Sequence, residues 1–293
     1  MPAKYFKCLD GNKIEISECY KNCRMKERCM LLPVLKAVGK TRAWYGKPSV
    51  TQLLKDTRQT YLEIKHDYTI NPQNAIASMI GTNSHSLMEG NVPNGFLSEV
   101  RLEDDITSGQ FDAYDMKNRT LIDFKFFGAY RIAMALGKRP RWVNQGVYVR
   151  GVNKGKPKWV QVFTDGGVRD VLEISKQLSY YKYLMKQHGL QVDEIKVQML
   201  VRGGLDKTAK SYGLDRMSYV VRLNGISEHW IRLYMKTKYD RLMQALETDT
   251  LPPLCKTRWN DLKCKEYCGV NEFCPYYKEK YMEKEKKCTT DKI

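Results

Sequence analysis

Two aspartates and one lysine lie close together in the sequence, in two short apolar segments. Asp112 ends the segment 109–112, Gly-Gln-Phe-Asp, while Asp123 and Lys125 belong to the segment 121–125, Leu-Ile-Asp-Phe-Lys. Carboxylate oxygens suit a hard cation such as Mg²⁺ or Mn²⁺, which is usually held by one or two carboxylates together with a substrate phosphate. Such an ion lowers the pKa of a bound water and stabilises charge on phosphoryl oxygens. These residue types therefore predict a site that hydrolyses a phosphodiester.

The spacing of Asp123 and Lys125 adds a geometric argument. The two residues are two positions apart, so on a strand both side chains leave the same face. We expect Asp123 to bind the metal while Lys125 orients or deprotonates the attacking water. Because Asp-x-Lys also occurs in many unrelated surface strands, the interpretation depends on the elements around it.

Those elements alternate between helix and strand along the chain. Before the aspartates, helices are predicted at 30–38, at 75–88 and from Ser49, a helix N-cap, towards residue 61. The apolar pattern then predicts strands, at 96–102, 110–115, 120–126, 159–164, 195–201 and 217–223. Two further helices are predicted, at 171–188 and 227–247. This order favours an α/β fold, with a mixed central β-sheet flanked by helices.

The net charge of the chain indicates the class of molecule that it binds. The 293 residues carry 50 Lys and Arg against 33 Asp and Glu, a net charge of +17 that favours a polyanion such as nucleic acid. A hydrophobic fraction of 42% indicates a folded chain. The N-terminus lacks the apolar segment of a secretory signal, and no apolar run approaches the roughly 20 residues that span a bilayer. We therefore expect a cytoplasmic protein without a membrane partner.

The basic residues are concentrated next to Lys125. The stretch 124–164 contains nine basic residues and no acidic one. Positive charge follows a phosphate backbone and aromatic rings stack on unpaired bases. We expect about half of the aromatics in this stretch to be buried without touching a ligand. Its basic residues are Lys125, Arg131, Lys138, Arg139, Arg141, Arg150, Lys154, Lys156 and Lys158, and its interleaved aromatics include Phe126, Phe127, Tyr130, Trp142, Tyr148 and Trp159.

Eight of the nine cysteines form two sets with nearly the same spacing. In a cytoplasmic chain, two groups of four cysteines indicate metal binding and not disulfides, because four thiolates complete a tetrahedral metal site. Either a structural Zn²⁺ or a [4Fe–4S] cluster accepts four cysteine ligands. The spacing also leaves open whether each set binds its own metal or the two sets exchange ligands. Full ligation leaves no open position, so we expect no catalytic role. The sets are Cys8, Cys19, Cys23 and Cys29, then Cys255, Cys264, Cys268 and Cys274, with Cys288 left over.

The motifs follow the order of a known family. A histidine, His85, falls in a predicted helix, and the segments 109–112, 123–125 and 177–181 supply Gly-x-x-Asp, Asp-x-Lys and Gln-x-x-x-Tyr. In this order the chain resembles the RecB-like branch of the PD-(D/E)XK nuclease superfamily, which includes phage exonucleases and CRISPR-associated nucleases. The resemblance runs from about residue 50 to about residue 275 and implies a restriction-endonuclease-like core.

The resemblance also implies roles for individual residues. The family's histidine contacts the metal, which favours Mn²⁺ because imidazole suits the softer ion. Gln177 and Tyr181, one helical turn apart, would border the site and contact the DNA backbone. Glu99, on the strand before Asp112, is a further candidate carboxylate. The predicted catalytic residues are Asp112, Asp123, Lys125, Gln177 and Tyr181, and the predicted metal site comprises His85, Glu99, Asp112, Asp123 and Phe124.

Two features differ from the family's usual pattern. The interval between Lys125 and Gln177 is longer, because the basic stretch fills it. Several members hold an iron–sulfur cluster with one cysteine before the core and three after it, whereas this chain has a full set at each end. We predict a cysteine metal module at 1–38, a nuclease core at 39–250 with an insertion at 126–164, and a second module with a tail at 251–293.

The predicted function is that of a divalent-metal-dependent deoxyribonuclease, expected to be an exonuclease, in phage-type recombination or DNA processing. Its substrate would be single-stranded DNA or the ends of double-stranded DNA. The setting would be the host cytoplasm if a phage encodes the chain, with a protein partner in a recombination complex. The alternative is a non-catalytic nucleic-acid-binding protein with zinc modules, and an RNA nuclease is a third interpretation. The sequence leaves the polarity of digestion and the oligomeric state open.

Overall fold

Short strands and helices alternate along the whole chain. The computed structural model describes residues 3–40 and 43–282. The strands are β1 Ala3–Lys7, β2 Lys13–Glu15, β3 Tyr68–Ile70, β4 Phe96–Ser98, β5 Arg101–Glu103, β6 Ser108–Gln110, β7 Ala113–Asp115, β8 Thr120–Gly128, β9 Arg139–Val147, β10 Pro157–Thr164, β11 Glu194–Arg202 and β12 Ser218–Arg222. The helices are α1 Ile16–Lys21, α2 Leu32–Val38, α3 Val50–Leu54, α4 Thr57–Lys65, α5 Pro72–Glu89, α6 Ala129–Ala135, α7 Leu172–Gln187, α8 Lys207–Ser211, α9 Glu228–Glu247 and α10 Pro275–Tyr277.

The chain divides into two compact units, each built from separated segments. The first unit comprises the described residues up to Asn83, Glu103–Gly109 and those from His229 onward. The second comprises Ser84–Leu102 and Gln110–Glu228. Both cysteine sets fall in the first unit, and all the predicted catalytic residues fall in the second. Because a metal module is defined by its ligands and not by packing, the predicted division into modules and core stays a prediction.

The first unit contains a three-stranded sheet in the order β2-β1-β3, with β1 antiparallel to β2 and parallel to β3. A small core of Phe6, Cys19, Leu35 and Val38 lies beside it. Ser49 forms the predicted cap, because its Oγ accepts a hydrogen bond from the Gln52 backbone while the Gln52 side chain accepts one from the Ser49 backbone.

The helix that begins after Ser49 is shorter than predicted, since α3 stops at Leu54 and α4 begins at Thr57. Asp56, between the two helices, accepts hydrogen bonds from the Lys256 backbone at 3.1 Å and the Lys263 ammonium at 3.0 Å. These contacts link residues about 200 positions apart in the sequence, so a local pattern does not reveal them.

The second unit contains a mixed sheet of five strands in the order β12-β11-β8-β7-β4. The central pair, β8 and β11, is parallel, and the other pairs are antiparallel. Leu121 and Asp123 on β8 are buried, as are Val197 and Met199 on β11, whereas Ile122, between Leu121 and Asp123, is half-buried. Helix α7 packs against β8. The predicted α/β class with a mixed sheet is therefore confirmed.

Two predicted strands are interrupted. The strand predicted at 96–102 is split into β4 and β5, because Glu99 has a φ of 54°, in the left-handed region that ends extended structure. The strand predicted at 110–115 is split between β6 and β7, with Asp112 outside both. Each break coincides with a residue of the predicted site.

The helices raise two further points. None of those in the described part of the chain has both the length and the apolar character that crossing a membrane requires. The tyrosine- and lysine-rich segment 275–287 begins with α10 and continues as a π-helix at Lys278–Met282. The rest of that segment and Cys288 lie outside the described residues.

Candidate active site

Sheet register brings the two aspartates together. Strand β7 pairs antiparallel with β8, and Ala113 lies opposite Ile122. Asp112 directly precedes β7 and Asp123 directly follows Ile122 on β8, and the Phe124 N–H donates to Oδ2 of Asp112 at 2.8 Å, which holds the two aspartates close together. Lys125 lies two residues further along β8, on the face that carries Asp123. The two aspartates and the lysine thus lie at one place in the second unit.

Asp112 is held by two hydrogen bonds to a single oxygen. Its Oδ2 accepts from the Phe124 backbone N–H at 2.8 Å and lies 3.2 Å from Nδ1 of His85 on α5. Burial raises the pKa of Asp112, but the hydrogen bond from His85 and the charge of Lys125 outweigh burial and hold the pKa below its usual range. The same hydrogen bond raises the pKa of His85. Asp112 and His85 therefore form an ion pair when His85 is protonated.

Asp123 is a buried charge with one cationic partner among the described residues. Its exposed fraction is 1%, and Nζ of Lys125 lies 2.7 Å from each carboxylate oxygen. The geometry allows a hydrogen bond only to Oδ1, so Oδ2 is buried without a hydrogen-bond donor in the part of the chain that the structure describes. Burial raises the pKa of Asp123 to about 6, opposed by Lys125 and reinforced by Asp112. A buried carboxylate oxygen that has an ion-pair contact but no hydrogen bond is costly for the protein alone and ready to accept a cation.

Glu99 supplies a third carboxyl group near Asp112. Burial raises the pKa of Glu99 to about 7, and a hydrogen bond with Glu89 and the charge of Asp112 act in the same direction. The side-chain amide of Gln110 donates to Oε2 of Glu99. The left-handed backbone of Glu99 is strain of the kind that persists where surrounding contacts enforce it. Glu99 therefore belongs to the candidate site, with Glu89 behind it.

Helix α7 contributes Tyr181 to the same place. Tyr181 is 4% exposed, and its hydroxyl is hydrogen-bonded with the Gln177 side chain and the Gln110 backbone. Burial raises the pKa of Tyr181 to about 12, and the charges of Asp123 and Asp112 act in the same direction. Tyr181 therefore lies close enough to both aspartates to be influenced by their charge, and the role of the Gln-x-x-x-Tyr segment stays a prediction.

Gln110 is a residue of the site that the sequence motifs did not single out. Its side chain reaches Glu99 and its backbone reaches the Tyr181 hydroxyl, so it links three elements of the site. Its position between Gly109 and Asp112 was the available signal. An amide side chain in a motif defined by its glycine and aspartate carries no chemistry by itself, and for that reason it was not predicted.

The donor set suits a divalent cation, although no complete ligand cage is formed. Among the described residues, no group of three or more His, Cys, Asp or Glu side chains is arranged so that it could hold a metal ion. The Lys125 ammonium and the His85 imidazole instead contact the two aspartates. Hard carboxylate oxygens, one of them buried and without a described donor, nevertheless fit Mg²⁺ or Mn²⁺ in chemical type.

The first cysteine set lies around β1 and α1. Burial raises the pKa values of Cys8 and Cys19, and the other thiols of the same set act in the same direction. The guanidinium of Arg28 donates to the backbone carbonyls of Cys19 at 2.8 Å and Tyr20 at 3.3 Å. The four thiols are therefore close enough to influence one another without forming disulfides.

The second cysteine set shows the same pattern. Burial raises the pKa of Cys255 to about 11, with smaller contributions from Cys268 and Cys274. Burial also raises the pKa of Cys264 and Cys268. None of the eight described cysteines forms a disulfide. In both sets the thiols that influence each other belong to the same set, which favours two sets that close separately.

Comparison with known proteins adds no relative. The chain matches no family model, and no curated protein matches its sequence. The resemblance to RecB-like nucleases therefore depends on the motifs in the sequence and remains a prediction.

Proposed function

We propose that the second unit is a divalent-metal-dependent nuclease that hydrolyses DNA phosphodiester bonds. One observation carries the proposal. Asp112 accepts a hydrogen bond from the Phe124 N–H next to Asp123, and the Lys125 ammonium is 2.7 Å from the Asp123 carboxylate. Oδ2 of Asp123 contacts that ammonium but is buried without a hydrogen bond among the described residues. A protein stabilised only by its own contacts gains nothing from such an oxygen. Site function explains why it is retained.

Asp112 and Asp123 would hold the divalent ion, with His85 and Glu99 as additional donors. When bound, the ion supplies Lewis-acid stabilisation of the phosphoryl oxygens and acidifies a water. The ion would compete with the His85 proton for Oδ2 of Asp112, and with the Lys125 ammonium for Asp123. In the absence of an ion, His85 and Lys125 therefore contact the carboxylates that a bound ion would need as ligands.

The Lys125 ammonium would assist the attack of water on the phosphodiester. Released from Asp123, it would orient the attacking water or donate hydrogen bonds to the phosphoryl oxygens as charge develops on them. The side chain is 19% exposed, so its charge acts with little screening by solvent. A lysine at this position is anchored by a strand and keeps its direction through the reaction.

Tyr181 and Gln177 would position the reacting groups. Because its pKa is raised to about 12, the Tyr181 hydroxyl stays protonated near neutral pH and remains a hydrogen-bond donor. Its contact with Gln110 fixes the backbone that leads into Asp112. Gln177, which is half-buried on the same helix, would contact a DNA phosphate, as the resemblance implies.

Cleavage of end-labelled DNA tests the proposal. Linear and closed circular DNA, single- and double-stranded, would be incubated with Mg²⁺ or Mn²⁺ and wild-type protein, Asp123→Asn or Lys125→Met. We expect metal-dependent degradation that both substitutions abolish, while Asp105→Asn and Lys117→Met, at exposed positions, leave it unchanged. Failure of the wild type to cleave any substrate in either metal would overturn the proposal. The circular substrates separate exonuclease from endonuclease action.

The exposed basic and aromatic hairpin formed by β9 and β10 favours a second candidate, a non-catalytic nucleic-acid-binding protein. Strand β9 is exposed at eight of nine positions and carries Arg139 and Arg141. This candidate predicts DNA binding that survives Asp123→Asn and no cleavage by the wild type. The same assay therefore separates the two.

The two cysteine sets are proposed to hold structural metal in the first unit, either Zn²⁺ or a [4Fe–4S] cluster. The matching spacing of the two sets and the electrostatic influence of thiols on others of the same set support this, although among the described residues no set is arranged as a complete metal site. Purified protein that is brown and contains iron and sulfide would identify the cluster, and colourless protein with bound zinc would identify the ion. Protein that contains neither after anaerobic purification would exclude both.

A further inference from the structure

A long two-stranded hairpin extends the second unit. Strands β9 and β10 pair antiparallel from Arg139 opposite Thr164 to Val147 opposite Pro157, and together they form a separate two-stranded sheet. We call residues 139–164 the hairpin arm. Every residue from 141 to 157 is exposed, and Val152 at the tip is completely so. Isolated two-stranded ribbons are marginal in water, so an arm of this length needs an anchor.

The anchor lies at the base of the arm. The Phe163 ring packs against Tyr130 and Tyr212, with ring centroids 6.0 Å and 4.6 Å away. Gly167 donates its backbone N–H to the Gly137 carbonyl at 2.6 Å, and a Cβ on Gly167 would lie 2.5 Å from that oxygen. Only glycine permits this approach. The base is therefore fixed, while the outer part is held by its own strand pairing.

The register of the arm sorts its side chains onto two faces. Trp142 lies opposite Gln161 and Trp159 lies opposite Asn144, so both tryptophans project from the same face as diagonal neighbours. Their exposed fractions are 65% and 54%.

The exposure of these rings corrects a prediction. The expectation that about half of the aromatics in the basic stretch are buried is wrong. Trp142, Tyr148 and Trp159 lie on the exposed part of the arm, and Phe126, Phe127 and Tyr130, on β8 and α6, are only partly covered. None of the six rings considered is buried, namely Phe126, Phe127, Tyr130, Trp142, Tyr148 and Trp159.

Charge identifies the class of partner for the arm as a whole, since Arg139 and Arg141 leave β9 on the face opposite Trp142. The arm contains six basic residues and no acidic residue, which favours a polyanion and disfavours a basic or neutral surface. Duplex DNA offers phosphates but keeps its bases stacked inside, so two exposed indole rings gain little from it. An unpaired strand offers phosphates and bases together. The six basic residues are Arg139, Arg141, Arg150, Lys154, Lys156 and Lys158.

We propose that the hairpin arm binds single-stranded DNA, with bases stacked on Trp142 and Trp159 and phosphates contacted by its basic residues. This inference rests on the proposed nuclease function, because it names the form of DNA that the site would receive. The chain passes from Lys125 at the site through α6 to the arm, so both belong to one continuous segment of the second unit. A strand held by the arm would be a single-stranded substrate or the unpaired end of a duplex.

Binding measured without catalysis tests the arm. Labelled oligo(dT) and a duplex of equal length would be titrated with full-length protein in EDTA, for wild type, Trp142→Leu/Trp159→Leu and Trp142→Phe/Trp159→Phe. Each stacked base contributes enough that removing two rings should weaken oligo(dT) binding by about 30-fold. The phenylalanine pair should recover most of the affinity, because it restores rings. Trp230→Leu, at an exposed tryptophan of the first unit, is the matched control and should bind like wild type.

Several outcomes would overturn the inference. Unchanged oligo(dT) affinity in the leucine pair, with thermal unfolding as in wild type, would exclude stacking on these rings. Equal preference for duplex and oligo(dT) would exclude single-strand recognition. A change of mass in sedimentation, without a change in DNA affinity, would show instead that the arm contacts protein. Because the titration needs no cleavage, a failure of the nuclease assay and a failure of DNA binding by the arm are distinguishable.

Salt dependence supplies an independent readout for the basic residues. Replacing Arg139 and Arg141 by glutamine should reduce the slope of log affinity against log salt by roughly 1.4, since each phosphate of a single strand that a basic side chain neutralises contributes about 0.7. The tryptophan variants should leave the slope unchanged. A slope that stays the same in the arginine variant would exclude phosphate binding by these two residues.

Discussion

The two candidate metal centres differ in what holds them in place. In the second unit, Asp112 and Asp123 are fixed by strand register, a backbone N–H and two cationic side chains, before any ion is bound. In the first unit, the thiols are partly buried and several of their pKa values are raised, and the guanidinium of Arg58 lies 3.6 Å from Sγ of Cys274. At the oxygen site each carboxylate has a cationic partner in contact with it, whereas burial is the largest influence on the thiols whose pKa values are raised.

Because of this difference, losing metal should have different consequences at the cysteine sets and at the aspartates. Burial raises the pKa of Cys8, Cys19, Cys255, Cys264 and Cys268, so metal binding must release protons from these thiols and its free energy enters the stability of the first unit. At the oxygen site the protein already compensates the charges, and removing an ion leaves Lys125 and His85 on the carboxylates. We therefore expect chelation to abolish activity at one centre and stability at the other.

The largest effect should come from the pair of Asp123 and Lys125. Asp123→Asn removes a charged ligand and Lys125→Met removes the amine, so either change should lower the cleavage rate by about a thousandfold, the upper range for a single preorganised group. Single-turnover cleavage with saturating Mn²⁺ measures it. Residual activity within tenfold of wild type would move the chemistry to other residues.

The cysteine sets should affect stability far more than chemistry. Cys23→Ser/Cys29→Ser should lose bound metal and lower the melting temperature by more than about 10 °C, because structural metal contributes several kcal/mol or more to folding. Metal analysis and thermal unfolding measure both quantities. Cys288→Ser, at the cysteine left over from the two sets, is the control. Unchanged metal content and melting temperature in the double variant would contradict a structural role.

Tyr181→Phe should produce a smaller, purely positional effect. The substitution keeps the ring in its buried place and removes the hydroxyl that contacts Gln110 and Gln177. Loss of alignment at Asp112 should reduce the single-turnover rate about tenfold without changing the affinity for Mn²⁺. A changed Mn²⁺ affinity would show instead that the hydroxyl supports the ligands. Tyr183→Phe, two positions along the same helix, is the matched control.

Local patterns predicted the elements better than their breaks. Alternation and motif order predicted the mixed sheet, the Ser49 cap and the proximity of Asp112, Asp123 and Lys125. The left-handed backbone of Glu99 was not predictable, because contacts from Glu89 and Gln110 enforce it against the preference of the residue.

The hairpin arm differs from prediction for another reason. Apolar alternation indicates that a strand forms, but it does not indicate whether another element covers its face. Trp142 and Trp159 therefore resemble half-buried residues in the sequence, although both are more than half exposed. Burial depends on tertiary neighbours, and the local sequence contains no information about which neighbours a strand will have.

The smallest expected effect is on the melting temperature, where the two active-site substitutions should act in opposite directions. Measured in EDTA at pH 7, Asp123→Asn should raise the melting temperature by roughly 3 °C, because it removes a buried charge and keeps an oxygen for Lys125. Lys125→Met should lower the melting temperature by roughly 5 °C, because it leaves that charge without its partner. Two substitutions that both abolish cleavage would thus shift stability in opposite directions.

The pH dependence of this pair follows from the raised pKa of Asp123. The folded protein binds a proton at Asp123 near pH 6, above the pH at which the unfolded chain does, so wild-type stability gains from protonation as pH falls towards about 4. Asp123→Asn has no such proton to bind. Its stability advantage should therefore be largest above pH 6 and shrink as pH falls. An advantage that stays constant between about pH 7.5 and about pH 4.5 would show that burial of the charge is not its cause.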